Sequence, residues 1–141
     1  MNRYIMITLL LLTAMAPAMP VTANTAKTFD GWMQGYNCVT HGHKCPIDRL
    51  DPHLMLEPDF VLLLDDGDYF LLPNIVRIVK AKYIHKPIRV IGDVNPKYKA
   101  IDVDKLQVKD GNSYKTVWSK KMMMEEWKKR QEEFYGAGGG A

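Results

Sequence analysis

The chain has 141 residues, 47% hydrophobic and 25% charged, and 19 Lys and Arg against 16 Asp and Glu give a net charge of +3. Basic and acidic residues are interspersed, which argues against the dense basic footprint of a nucleic-acid binder. The balance is that of ordinary solubility, and no internal repeat is visible.

The chain opens on a short basic stretch, Met1 to Tyr4, followed by an uncharged apolar run from Ile5 to Met19 and the small-x-small triplet Val21-Thr22-Ala23. This charged-apolar-small order is that of a secretory signal peptide. A membrane anchor needs roughly 20 apolar residues, and Pro17 and Pro20 break the run near its end. No cysteine follows the run to accept a lipid. Residues 1–23 are therefore expected to be a signal peptide cut after Ala23, with a periplasmic or secreted product and no stable membrane span after cleavage. Loss of Arg3 brings the mature charge near +2. About 115 residues remain, one domain's worth, able to bury about two-thirds of their unfolded surface.

The stretch Phe29 to Tyr36 reads as a bent first strand, where Gly31 and Gly35 permit a bulge. From Cys38 to Asp59 runs a long irregular connection with Pro46, Pro52 and Pro58. Connections of this length in a small domain are usually functional or cross-linked. Two apolar runs, Phe60 to Leu64 and Asp68 to Leu72, flank Asp65-Asp66-Gly67, a hairpin signal in which Gly supplies positive φ.

Asn74 is placed to cap a helix with Ile75, Ile78, Val79 and Tyr83 on its apolar face and Arg77, Lys80 and Lys82 toward solvent. Lys86-Pro87 ends it, and His85 is expected at the surface near the last helical carbonyls. Ile88, Val90, Gly92 and Val94 then alternate as one face of a half-buried strand, and Asn95-Pro96-Lys97 turns the chain. Ala100 to Val108 is a strand with Ile101 and Val103 inward. Its inward set shifts to Leu106 and Val108, which predicts a bulge near Lys105. After the turn Asp110-Gly111-Asn112, Tyr114 to Trp118 forms a short extra strand.

The fold class is thus mainly β. The order, three strands, a helix and two strands, is that of the small five-stranded oligonucleotide/oligosaccharide-binding (OB) barrel, here spanning 28–118. The stretches Gly31-Trp32, Cys38 with Cys45, Leu62 to Tyr69 and Ile88 to Gly92 resemble a loose group of small exported bacterial barrel proteins. That group shares a glycine-aromatic opening, a cysteine-bearing first loop, a D-G-x-x-Y hairpin and a V-x-V-x-G fourth strand. The resemblance covers Asp30 to Val108 and implies an OB-like fold and an extracytoplasmic compartment. Where the group often carries further cysteines, this chain has Pro46-Ile47-Asp48-Arg49.

Cys38, His41, His43 and Cys45 place two thiols and two imidazoles within eight residues. Outside the cytoplasm such a cysteine pair most often closes a disulfide, and so short a loop would gain about 2.5 kcal/mol. The alternative is a metal site, since thiolate with imidazole suits zinc or copper. The spacing C-x2-H-x-H-x-C is not a standard zinc pattern. An oxidised pair would leave His41 and His43, with His53 as a third donor. Nine methionines invite a copper argument, but Met122, Met123 and Met124 are consecutive and point apart on a helix, so packing is the better reading. In an OB-like barrel the first loop and the loop before the last strand flank the binding face; these carry His41, His43 and His53 on one side and Tyr98 on the other.

No catalytic set stands out. Ser113 and Ser119 lack a nucleophile-elbow context, and Asp65, Asp66 and Asp68 serve a solvated turn. The segment 119–135 is rich in helix formers, with Met123, Met124, Trp127 and Phe134 as a narrow apolar stripe, before a glycine-rich end, 136–141. The stripe either packs on its own barrel or docks a partner. The expectation is a non-catalytic exported interaction module with a protein partner, an accessory subunit of a periplasmic or envelope redox assembly. The alternative is a metal- or small-ligand-binding protein using the Cys/His-containing first loop.

Overall fold

Alternating or continuous apolar residues build six strands among the described residues: β1 (Lys27–Gly35), β2 (Phe60–Leu63), β3 (Tyr69–Leu71), β4 (Pro87–Asn95), β5 (Ala100–Asp110) and β6 (Ser113–Ser119). Three helices accompany them, α1 (Tyr36–Thr40), α2 (Arg77–Ala81) and α3 (Lys120–Gly136). The structure, a computed structural model, describes residues 26–42, 44–46 and 51–136, the side chain of His53 excepted. The expected signal segment, His43 and the end at 137–141 lie outside the described residues.

The strands form one sheet in the order β3-β2-β1-β4-β5-β6, each antiparallel to its neighbour. β3 also meets β5 in parallel at Leu71 and Ala100, where the Leu71 N–H donates to the Lys99 carbonyl at 2.8 Å. Hydrogen bonds therefore run in a ring through β1, β2, β3, β5 and β4, and β6 extends the sheet from β5. Met33, Phe60, Leu62, Leu72, Ile75, Ile88, Val90, Ile101, Val103 and Leu106 are buried in one apolar cluster inside this arrangement.

The register between β4 and β5 slips at Ile91 and Gly92, from Lys105 to Val103. One extra residue reverses which side chains face inward, so Ile101 and Val103 are buried before the slip and Leu106 after it, as the sequence pattern predicts. A Cβ on Gly92 would lie 2.3 Å from the Asp102 carbonyl, which explains a glycine in mid-strand.

The segment between β3 and β4 departs from expectation. Asn74 does not cap α2. Its Nδ2 donates to the Val103 carbonyl at 2.8 Å and its Oδ1 accepts from the Val103 N–H at 3.0 Å. Between Ala100, which meets β3, and Lys105, which meets β6, that edge of β5 has no strand beside it, and Asn74 satisfies the backbone there. The helix begins only at Arg77, with Val76 at its N-cap, and this later start changes which side chains turn inward. Ile78 is 64% exposed, while Lys80 is 1% exposed. His85 is half-buried at φ 61°, with Nδ1 3.2 Å from Gln34 Nε2, rather than a surface residue at the helix end.

Lys80 Nζ lies 2.6 Å from Asp59 Oδ2 and 3.2 Å from the Leu72 carbonyl. Burial pushes the Lys80 ammonium below its ordinary pKa, against the pull of Asp59. Removing one partner of a buried pair leaves an uncompensated charge, a loss of about 3–5 kcal/mol, whereas a well-packed apolar replacement of the charge is far milder. Asp59→Ala is expected to lose stability on that scale in urea unfolding. The double variant Asp59→Ala/Lys80→Met should recover most of the loss; a double variant no better than the single one would contradict this account of Lys80.

Candidate metal centre

The β1–β2 connection brings its two ends together. At its start, Gly35 closes β1 and α1 begins at once, with the Tyr36 N–H donating to the Asp59 carbonyl at 3.0 Å. That single turn aims Cys38 into the core. Gly42, at φ 77°, then reverses the chain. Cys45 is buried as well, its N–H donating to Gln34 Oε1 at 3.0 Å. At the far end, a short 3₁₀ turn (Pro52–Leu56) delivers Glu57 just ahead of β2. Arg77 on α2 clamps this turn, donating from Nε to the Glu57 carbonyl at 3.1 Å and from Nη2 to the Leu54 carbonyl at 2.7 Å.

The Glu57 carboxyl is 6% exposed by residue area and points inward. Its Oε2 accepts from the Asn37 N–H at 2.9 Å. Its Oε1 accepts from Cys38 Sγ at 3.3 Å and lies 3.9 Å from Cys45 Sγ. A Cβ on Gly35 would stand 2.6 Å from Glu57 Cδ and 2.7 Å from Oε1. The missing side chain at position 35 is thus what makes room for the carboxyl group. One donor atom from each of Cys38, Cys45 and Glu57 lies within 4.8 Å of the other two, and all three residues are buried.

The electrostatics keep the site's cysteine protonated in this state. Burial pushes the Cys38 thiol well above its ordinary value of 9.0, and hydrogen bonding with Cys45 and Glu57 pushes it further in the same direction. A buried, protonated thiol is a poor nucleophile, so the arrangement does not resemble an activated catalytic cysteine. Two thiols and a carboxylate are, by their chemistry, groups that could hold a cation on release of the thiol protons.

The expected disulfide is not formed: Cys38 and Cys45 are free thiols. Cys38 Sγ is turned to Glu57 Oε1 instead, donating to it at 3.3 Å. Of the expected Cys38, His41, His43 and Cys45 set, the structure brings the two cysteines together at Glu57. His41 is exposed at the end of α1, its Nδ1 2.7 Å from the Asn37 carbonyl, and is not among the three grouped ligands. His43 lies outside the described residues, and the backbone of His53 sits in the 3₁₀ turn. Tyr98 is exposed on the β4–β5 turn, with Lys97 Nζ 5.3 Å from its ring centre. Sequence reasoning missed Glu57, twelve residues beyond Cys45 and outside any ligand spacing. Its one signal was a carboxylate directly after the apolar Leu54-Met55-Leu56.

Met123, Met124, Trp127 and Phe134 are all exposed on α3. The helix is tied to the sheet at its start, where Lys120 Nζ lies 2.9 Å from both Asp102 Oδ2 and Asp104 Oδ1 and Ser119 Oγ accepts from the Met122 N–H at 3.2 Å. No helix among the described residues is long and apolar enough to cross a membrane.

Compared with known proteins, the chain matches no family model, no curated protein and no solved structure.

The raised Cys38 pKa fixes a sign. Below about pH 9 the thiol is protonated folded or unfolded, and its contribution is fully present; above it the unfolded chain loses the proton first, so the fold loses stability as pH rises. In chelator-treated protein, the stability of wild type relative to Cys38→Ser should fall above pH 9, at up to about 1.4 kcal/mol per pH unit. Urea unfolding of both proteins across that range checks it; a constant difference would contradict the burial of a protonated thiol.

Proposed function

We propose that the mature chain is a non-catalytic metal-binding module outside the cytoplasm, holding zinc at Cys38, Cys45 and Glu57. The observation that carries this reading is the meeting of three buried ligand atoms within 4.8 Å, drawn from both ends of the first loop. Zinc is bound by thiolate sulfur and carboxylate oxygen, commonly in tetrahedral sites. The carboxylate weighs against copper(I), which soft sulfur ligands select. Binding would release the two thiol protons, and the resulting pair of thiolates would share the site with Glu57. Three protein ligands leave one tetrahedral position; along the chain, His43 is the nearest further donor to Cys45. Because the ligands come from both ends of one loop, the ion would act as a staple for that loop.

The strand ring β1-β2-β3-β5-β4, with α2 between its third and fourth strands, supports the OB-like reading of the frame. On that reading the proposed metal loop is the connection such barrels commonly use for binding. The charged-apolar-small order of residues 1–23 supports export. A second reading, an interaction module within an envelope assembly, is favoured by one observation: Trp127 and Phe134 are largely exposed on α3. The two readings are compatible, since α3 and the metal site use different parts of the chain.

Intact mass of protein extracted from the periplasm, native and denatured, with and without thiol alkylation, tests the reading in one measurement. The expected result is a chain beginning at Asn24 with two alkylatable thiols and one zinc lost on denaturation. Glu57→Gln should weaken zinc binding at least about tenfold, as even changes around metal ligands do. A metal-free mass two hydrogens short, with no alkylatable thiol, would overturn the metal site in favour of a disulfide. A chain that still begins at Met1 in the cytoplasm would overturn the compartment.

A further inference from the structure

Surface charge in this molecule is compensated unevenly. Arg89 pairs with Asp30, Lys99 with Asp68, and Lys120 with Asp102 and Asp104, while α3 pairs its charges along its own length. Lys82, Lys86, Lys109 and Lys115 make no ion pair within 4.0 Å among the described residues. All four line one groove of about 410 Å³ between the Lys82–Lys86 turn and the β5–β6 hairpin. One carboxylate, Asp110, shares that lining. Lys109 also acts at longer range on the Asp30 carboxylate, which already has Arg89.

The groove has an apolar side. Val108, Val117 and Tyr83 line it and are partly buried against the core, so their positions are fixed by packing. Val108 sits directly opposite Lys115 in the β5–β6 ladder, which sets an ammonium beside the apolar surface. Like charges brought together by a rigid frame raise the local potential and concentrate anions in a concave site. The volume falls in the range of small-molecule pockets, about 300–1,000 Å³.

We propose that this groove binds a small organic molecule bearing two phosphate groups. Four lysines against one aspartate give the lining a net positive charge that a compact ligand balances best with dense negative charge, and each phosphate ester carries about −1.5 to −2 at neutral pH. Lysine binds phosphate as a point charge, without the planar fork that arginine offers to carboxylates. Tyr83 and the two valines supply a face for the body of the ligand, a sugar or a ring. The site is separate from Cys38, Cys45 and Glu57 and does not depend on a metal there.

The test uses the full mature chain and amide NMR titration at low and moderate salt, with inorganic phosphate, pyrophosphate, a hexose bisphosphate and mixed phosphatidylglycerol–phosphatidylcholine vesicles as probes. The expected result is saturable binding of pyrophosphate and the hexose bisphosphate, with shifts at Tyr83, Val108 and Val117 and at least tenfold weaker binding of inorganic phosphate. The hexose bisphosphate should bind more tightly than pyrophosphate, because it alone reaches the apolar face. Lys86→Glu/Lys115→Glu, both exposed positions, should lower affinity more than tenfold while leaving the rest of the spectrum and zinc binding unchanged. Absence of saturable groove shifts, equal affinity of the double variant, or binding to vesicles alone would overturn the proposal.

Discussion

Glu57 enters the interior from the end of the β1–β2 connection, and Cys38 and Cys45 approach it from the beginning, so one carboxyl group ties the two ends of that loop together. A carboxylate removed from water carries a penalty of several kcal/mol unless its oxygens find donors. Here the Asn37 N–H and the Cys38 thiol are those donors, and both belong to the single turn of α1. The geometry of that turn follows from Gly35, because any side chain there would occupy the space of the carboxyl group. Arg77 holds the other side of the loop through two carbonyls. The position of Glu57 therefore depends on β1, α1 and α2 together, and the path of the loop depends on Glu57.

A second set of polar contacts closes the sheet where strand pairing runs out. Between Ala100, paired to β3, and Lys105, paired to β6, part of one β5 edge has no neighbouring strand, and Asn74 meets it with both ends of its amide. Lys80, one short helix later, buries its stem and finds Asp59 beside the start of β2. Asp59 in turn accepts from the Tyr36 N–H through its backbone carbonyl. These residues connect the α2 region to the same loop that carries Glu57. The Lys80–Asp59 pair thus stands beside the strand start whose backbone anchors α1.

Much of the frame was readable from local pattern. Alternation in Ile88 to Val94 and the phase change after Val103 gave β4, β5 and the slip between them, because a strand buried on one face leaves a period of two. The Asp66-Gly67 turn and the helix formers from Lys120 onward were equally local signals. What escaped were contacts between residues far apart in sequence. Asn74 has the right chemistry for a cap, and only the unpaired β5 edge gives it another task. Lys80 reads as a solvent residue until Asp59 is placed beside it. The candidate site was half legible: Cys38 and Cys45 announce themselves, whereas Glu57 is hidden by its distance along the chain. A ligand set assembled from both ends of a long connection has no spacing to recognise.

The same geometry bears on the choice between a disulfide and a metal. Thiol–disulfide exchange proceeds through the thiolate, and at Cys38 burial and the neighbouring carboxyl suppress that form. A divalent cation reverses the balance, since its charge stabilises the thiolates and relieves the repulsion between them and Glu57. In the proposed reading the Glu57 carboxylate, which with burial and Cys45 holds Cys38 protonated, would become a ligand to the cation. On that reading, burial beside Glu57 makes Cys38 slow to act as a thiolate until zinc is taken up, and Glu57 adds the oxygen ligand that two cysteines alone would lack.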